Sequence, residues 1–234
     1  MSSTIEPAAV VAAIHGGDLD AMRGFIDQWP DLVNARLDGR TALHVVTDWP
    51  GYFPNGPAVV QMLVAAGANP DPRTEEEGAG ETPLHYAASS DDLEVADALI
   101  EAGADIEAPG GSIGTPLDNA IGYGCWHVAR RLVERGARVD MLWHAAALGL
   151  LPRLKELLAA GPDQAEIDQA FWQACHGGQR RAAEVLLRHG ADINVVPPYA
   201  NQTVLEVAAA PDTRRDVLAT WLRDQGAQPG QSTG

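Results

Sequence analysis

The sequence predicts an all-α solenoid in which helix–turn–helix units stack side by side. One complete unit is visible: it opens at Thr82–Ala88 and closes at Leu99–Asp105. Degraded copies of both ends recur along the chain, and the closing glycines Gly67, Gly103 and Gly136 are 36 and 33 residues apart. A regular period of this length is typical of repeat folds, in which each unit is stable only against its neighbours.

Each part of the unit follows from local rules. Thr82 precedes Pro83, and this pair is typical of a helix start, because Thr caps the helix and the missing N–H of Pro has no partner in the first turn. The small side chains of Ala87 and Ala88 allow close packing on the next unit. The second helix ends at Gly103, a residue suited to the left-handed C-cap.

The other units are read from the same signals. The opening motif recurs at Thr41–His44 and Thr115–Asp118. The closing motif recurs at Leu63–Asn69, Leu132–Arg138, Leu157–Gly161, Leu186–Asp192 and Trp221–Ala227. About seven units are therefore predicted in a single domain, residues 1–234, with approximate bounds 5–39, 40–71, 81–107, 114–140, 141–163, 167–195 and 201–228. Residues 229–234 are predicted to be a flexible tail.

The repeated motifs resemble those of the ankyrin-repeat family over nearly the whole chain. The resemblance implies a curved α-solenoid with short β-hairpin fingers and a concave face formed by the inner helices and finger tips. It also implies that His44 and His85, the histidines of the opening motif, bond to backbone between neighbouring units. Asp118, Trp143 and Trp172 replace that histidine in later units.

Composition and charge limit the function. The chain has 16 Lys+Arg against 32 Asp+Glu, a net charge of −16, which disfavours nucleic acid as a partner. No apolar run of about 18 residues is present for a membrane span, and no secretory signal is visible, so a cytoplasmic location is expected. The two cysteines, Cys125 and Cys175, fall two units apart and are expected to be free thiols.

Departures from the repeat are where function is expected, because loops carry function more often than scaffold does. Residues 50–57 form a Pro- and Gly-rich insertion between the two helices of the second unit, and residues 70–80 lengthen the next finger. By contrast, Val139-Asp140 leads almost directly into Met141–His144 and leaves no room for a finger. Long loops on one half and missing fingers on the other could enclose a pocket.

In the ankyrin frame, the residues flanking the small pair of each first helix face the concave groove. This set is unusually rich in aromatic and histidine side chains and carries a single charge. The candidate ligand-binding residues are His15, Trp49, Tyr86, Asn119, Tyr123 and Gln173. The candidate catalytic residues, if the protein is an enzyme, are Asp48, His144 and His176.

Two functions from different classes fit this groove. The first is a recognition module that binds a protein partner, with Tyr and Trp as anchors. The alternative is a small-molecule-binding protein or a cofactor-independent enzyme of the acid–base isomerase, cyclase, lyase or hydrolase type. In that case Asp48 with His144 or His176 supplies the base and acid, and Asn119, Tyr123 and Gln173 donate hydrogen bonds. No motif points to a metal or a cofactor, so neither is expected.

Overall fold

The computed structural model describes residues 6–75, 80–209 and 216–230, and these residues form helices joined by turns. The chain divides into two compact units, Met1–Ala137 and Arg138–Gly234, called here the N-terminal and C-terminal units. Four parts of the sequence-based prediction lie outside the described residues: residue 5 of the first unit, residues 76–79 of the lengthened finger, 210–215 of the last unit and 231–234 of the tail. The single-domain assignment and the repeat bounds stay predictions.

The N-terminal unit contains four helix pairs within its described residues. A short 3-10 helix, Pro30–Asn34, follows the first pair. In chain order the helices are α1 (Pro7–Gly16), α2 (Leu19–Gln28), α3 (Ala42–Val45), α4 (Gly56–Ala65), α5 (Pro83–Ser89), α6 (Leu93–Glu101), α7 (Pro116–Gly122) and α8 (Trp126–Glu134). The first helices pack on one another in the order α1, α3, α5, α7, and the second helices do the same.

The C-terminal unit contains three helix pairs within its described residues. They are α9 (Leu142–Ala147), α10 (Leu151–Ala159), α11 (Gln164–His176), α12 (Arg180–Arg188), α13 (Val204–Ala208) and α14 (Asp216–Asp224). Helix α11 packs on both α9 and α13, so the alternation of inner and outer helices continues here. The predicted all-α solenoid of helix–turn–helix units is confirmed.

The helix starts explain why the motif folds this way. In α3 and α5 the Thr41 and Thr82 side chains pair with the backbone of the third helical residue, and the imidazole three residues on bonds back to the cap. Thr115 forms the same reciprocal arrangement with Asp118. Each capping pair satisfies N–H groups that the first turn cannot satisfy itself.

Polar side chains at the ends of second helices link several neighbouring repeats. The Asn34 side chain accepts a hydrogen bond from the Asn69 backbone N–H at 2.8 Å, and Asp71 accepts one from the Asp105 N–H at 3.0 Å. In the C-terminal unit, Asn194 accepts one from the Gln228 N–H at 2.9 Å. These bonds fix the spacing of the repeats at the ends of the outer helices.

The fingers are short in the described residues. The first is reduced to the isolated antiparallel bridge between Leu37 and Arg40. In the third, the Gly111 N–H donates to the Gly114 carbonyl at 2.6 Å. Val139 and Asp140 lead into α9 without a hairpin, as the sequence predicts.

Candidate functional site

The histidines of the opening motif are structural. His44 is fully buried, its Nδ1 accepts the Thr41 backbone N–H, and its Nε2 donates to the Glu81 carbonyl at 3.0 Å. His85 makes the equivalent Nε2 bond to the Gly114 carbonyl at 3.0 Å. Burial lowers the pKa of His44 to about 4, so its neutral form is the folded form. The predicted bonding between repeats is confirmed for both residues.

Trp172 takes over this structural role in the C-terminal unit. Its Nε1–H donates to the Gln202 carbonyl at 2.9 Å, and Gln202 immediately precedes the cap Thr203, just as Glu81 precedes Thr82. An indole N–H therefore reaches the same acceptor position as an imidazole N–H. This equivalence was not predicted, because the motif alone specifies histidine.

Asp48 lies at the centre of a polar cluster directly after α3. Arg40 from the first finger forms an ion pair with Oδ1 of Asp48. The Nε2 atom of His15, near the end of α1, lies 3.6 Å from Oδ2 of Asp48. The ring of His15 stacks on Phe53 of the insertion, with centroids 4.1 Å apart. Burial raises the pKa of Asp48, and the charges of Arg40 and His15 oppose that shift.

Open grooves border this cluster. One, of about 500 Å³, runs between α1 and the first finger and is lined by Pro7, Ala8, Val11, Ala12, His15, Leu37, Asp38 and Arg40. A second, of about 430 Å³, lies between the first two fingers and is lined by Asp38, Gly39, Arg40, Thr74, Glu75 and Tyr86. The predicted site residues His15 and Tyr86 therefore each line an open groove of the N-terminal unit.

Asn119 is placed on α7 as predicted, but its side chain is fully buried. Its Nδ2 donates to Oε1 of Glu81 at 2.7 Å and to Oγ of Ser89 at 3.2 Å. Its Oδ1 accepts the Ile113 backbone N–H at 3.1 Å. The Asn119 amide thus holds the third finger against α7. Its role in ligand binding stays a prediction.

Tyr123 is 55% exposed at the end of α7, and its hydroxyl lies 3.1 Å from Oγ of Ser112 on the third finger. The neighbouring finger residue Ile113 is 47% exposed. A Cβ atom at Gly122 would lie 2.2 Å from Cδ1 of Ile113, so the finger sits directly on the end of α7 because Gly122 has no side chain. Tyr123 and Ile113 form an exposed apolar pair, called here the finger pair.

Trp49 immediately precedes the insertion and is 84% exposed. The residues after it contact the turns between the two helices of neighbouring repeats rather than the fingers. Asn55 Nδ2 donates to the Gly17 carbonyl at 2.9 Å, and the Tyr52 backbone N–H donates to Asp92 at 2.6 Å. The insertion therefore spans from the first repeat to the third.

The C-terminal unit places His144 on α9 and Gln173 and His176 on α11. The His176 ring Nδ1 lies 3.3 Å from Oε1 of Gln173, so these two predicted residues come together. The His144 ring lies edge-on to Trp143, with centroids 4.2 Å apart. The catalytic role predicted for Asp48, His144 and His176 stays a prediction.

Sequence reasoning missed Arg40, Phe53 and Glu81, which position the predicted residues. All three lie on fingers or on the insertion, where no helical period indicates which way a side chain points. The available signal was the position of Arg40 next to the cap Thr41 and of Glu81 next to the cap Thr82. That position puts both residues where a finger meets an inner helix.

Two absences concern the described residues alone. Within them, no group of three or more His, Cys, Asp or Glu side chains is arranged to hold a metal ion. Nor does any helix among them have the length and apolar character needed to cross a membrane. Cys125 and Cys175 are both buried, and neither forms a disulfide, as predicted.

Comparison with known proteins identifies the class. A family model described as ankyrin repeats (3 copies) matches residues 52–141. The human ankyrin repeat and SOCS box protein 16 is 31% identical over 252 aligned positions, which cover 97% of this chain and 53% of that protein. The mouse protein of the same name matches with the same identity and coverage. The chain therefore spans about half the length of these curated relatives.

Solved structures agree with this class. The ankyrin repeat domain of Bcl-3, described as a unique member of the IkappaB family, matches with a TM-score of 0.54 and 26% identity, covering 95% of this chain and 99% of that one. The human ASB11 ankyrin repeat domain matches with a TM-score of 0.56 and 19% identity over 94% of this chain and 99% of that one, a likeness of fold. Residues 52–141 are ankyrin repeats, and the chain as a whole shares the ankyrin-repeat fold.

Proposed function

We propose that this ankyrin-repeat protein is a recognition module that binds a protein partner through the concave face of its N-terminal unit. The finger pair carries the proposal. Tyr123 and Ile113 are exposed, yet hydrogen bonds of Ser112 and of the Ile113 backbone fix the finger that presents them. Large apolar side chains held in place on a surface are typical of interaction hot spots.

The surroundings of the finger pair support a protein partner. Tyr86 lines the groove between the first two fingers, and His15 lines the groove along α1, so aromatic rings extend along the concave face. Both grooves are open to solvent rather than enclosed, which suits an extended partner surface. For the C-terminal unit, His144, Gln173 and His176 stay predicted contacts.

The test is affinity capture with the full chain and single variants, followed by binding measurements with each purified partner. Tyr123→Ala and Ile113→Ala should weaken binding of the true partner by about tenfold or more, a cost of about 1.4 kcal/mol. Val217→Ala, at an exposed β-branched residue of α14, is the matched control. Equal affinity for all four proteins would rule out the finger pair as the binding surface.

The second candidate function is binding of a small organic molecule at the Asp48 cluster, with catalysis as its extension. The observation that favours it is the ion-paired Asp48 beside His15 at the edge of the 500 Å³ groove. A carboxylate and an imidazole in contact can orient a polar ligand or transfer a proton.

A metabolite thermal-shift screen separates the two functions. A ligand at about 100 times its Kd should stabilise the folded chain by about 2.7 kcal/mol. Asp48→Asn should abolish that shift and leave partner capture by the finger pair unchanged. If no metabolite stabilises the wild-type chain, or if every stabilising metabolite also stabilises Asp48→Asn, the small-molecule function is contradicted. The recognition function is unaffected by that result.

A further inference from the structure

The insertion and the residue just before it carry two strongly exposed aromatic side chains. Trp49 is 84% exposed and Tyr52 is 61% exposed. Among the described residues, the other strongly exposed large apolar side chains lie on different segments: Ile113, Tyr123, Met141, Val196, Tyr199 and Val217. A single exposed aromatic residue is ordinary, but two within four residues are typical of an interaction surface.

Contacts with two neighbouring turns fix the insertion at Tyr52 and Pro54. The Tyr52 N–H donates to Oδ2 of Asp92, the N-terminal cap of α6, at 2.6 Å, and the Tyr52 hydroxyl donates to the Asp91 carbonyl. A Cβ at Gly17 would lie 2.2 Å from the Pro54 carbonyl oxygen, so the other end of the loop lies directly against the turn after α1. Because the loop is already ordered, a partner does not lose free energy by ordering it.

The carboxylates of Asp91, Asp92 and Glu94 act on the Tyr52 hydroxyl. Burial, followed by the carboxylates of Asp91, Asp92 and Glu94, raises the pKa of its hydroxyl. Glu94 is exposed on α6, and Asp91 also pairs with His127 at 2.6 Å. The whole chain has twice as many acidic as basic residues, 32 against 16. Electron-rich ring faces next to carboxylates favour a cation.

We propose that Trp49 and Tyr52 form a docking surface for a basic, Arg- or Lys-containing segment of a partner protein. A guanidinium or ammonium group stacks on an exposed ring while Glu94 provides the opposite charge at the rim. The inference rests on the proposed recognition function in that the ligand is a protein. Its residues, however, are separate from the finger pair, so the proposal for one surface can be contradicted while the proposal for the other is supported.

The experiment probes an array of twelve-residue peptides of graded charge with the full chain, labelled at its N-terminus, at physiological salt. Peptides captured by the wild-type chain are then synthesised, and Kd is measured by fluorescence anisotropy. Captured sequences should be enriched in Arg and Lys, and replacing their basic residues with Gln should weaken binding by about tenfold or more.

Variants of unchanged net charge separate the aromatic surface from general attraction to an acidic protein. Trp49→Ala and Tyr52→Ala should each raise Kd for the basic peptides by about tenfold, whereas Tyr199→Ala should leave it unchanged. Captured peptides without basic enrichment, or equal binding by wild-type and Trp49→Ala chains, would overturn the inference. If Tyr123→Ala weakens binding of the basic peptides and Trp49→Ala does not, the peptides bind at the finger pair instead. That result also overturns the inference.

Discussion

The imidazole of His15 stacks on the phenyl ring of Phe53, with centroids 4.1 Å apart and planes inclined by 12°. His15 belongs to the first helix of the first repeat, and Phe53 to the insertion in the second repeat. The same imidazole lies 3.6 Å from the carboxylate of Asp48. One ring thus joins the packing of the insertion to the electrostatics of the candidate site.

Replacing Phe53 with Ala should destabilise the N-terminal unit by about 1–2 kcal/mol, because the stack and part of the buried ring area are lost. Phe53→Tyr, which keeps the ring, is the matched control and should change the unfolding free energy by less than half of that amount. Urea unfolding followed by circular dichroism measures both. Identical unfolding of wild type and Phe53→Ala would show that the insertion adds no stability through this contact.

Stability should fall on acidification because of His44. Burial lowers its folded pKa from 6.5 to about 4. Between these values the unfolded imidazole takes up a proton that the folded one does not bind, so the free energy of unfolding decreases as pH falls through this window. Once the pH has fallen to about 4, His44 alone should have reduced the free energy of unfolding by about 3 kcal/mol. The pKa of His85 is lowered by burial too, which acts in the same direction.

His44→Gln isolates this contribution, since the amide is neutral at every pH and keeps an N–H donor for the Glu81 carbonyl. The variant should lose less unfolding free energy than wild type between pH 7 and pH 4.5, as measured by urea unfolding at each pH. Other titrating groups are common to both proteins and cancel in the difference. Parallel pH profiles would mean that His44 titrates normally in the folded protein.

Two glycines should respond oppositely to alanine. At Gly177, after α11, a Cβ would lie 2.0 Å from the Ala147 carbonyl oxygen, a backbone atom that moves only if α9 and α11 separate. Gly177→Ala should therefore cost about 1–3 kcal/mol or more. At Gly24 within α2 a Cβ would meet nothing within 4 Å, so Gly24→Ala should stabilise by about 0.5–1 kcal/mol through helix propensity. Thermal and urea unfolding of both variants checks the sign and the size of each effect.

The repeating part of the fold could be predicted from sequence because each of its signals is local. A Thr cap, a Pro in the first turn and a closing Gly predict the same helix pair wherever they recur. The histidine bonds from His44 and His85 followed from the resemblance to ankyrin repeats that this motif carries. Trp172 shows where the motif stops being informative, since its indole N–H fills the histidine role through a different side chain.

The candidate site was predicted less completely, because irregular segments decide which groove residues stay accessible. Alignment of the helices placed Asn119 in the groove, but the third finger covers it and engages its amide. Alignment also placed Asp48 there, but could not show that Arg40 and the insertion residue Phe53 complete its surroundings. Finger and insertion conformations depend on tertiary contacts that have no period in the sequence.

The contact of Ile113 with Gly122 predicts a separation of stability from binding. A Cβ at Gly122 would lie 2.2 Å from Cδ1 of Ile113, the far end of a flexible side chain, so Gly122→Ala should displace the isoleucine while costing less than about 1 kcal/mol. Partner affinity through the finger pair should nevertheless fall, because Ile113 leaves its place beside Tyr123. The Ile113 methyl signals in NMR spectra should shift in this variant, and Gly122→Ala combined with Ile113→Ala should bind no more weakly than Ile113→Ala alone. Additive losses of affinity in the double variant would mean that the two residues act independently.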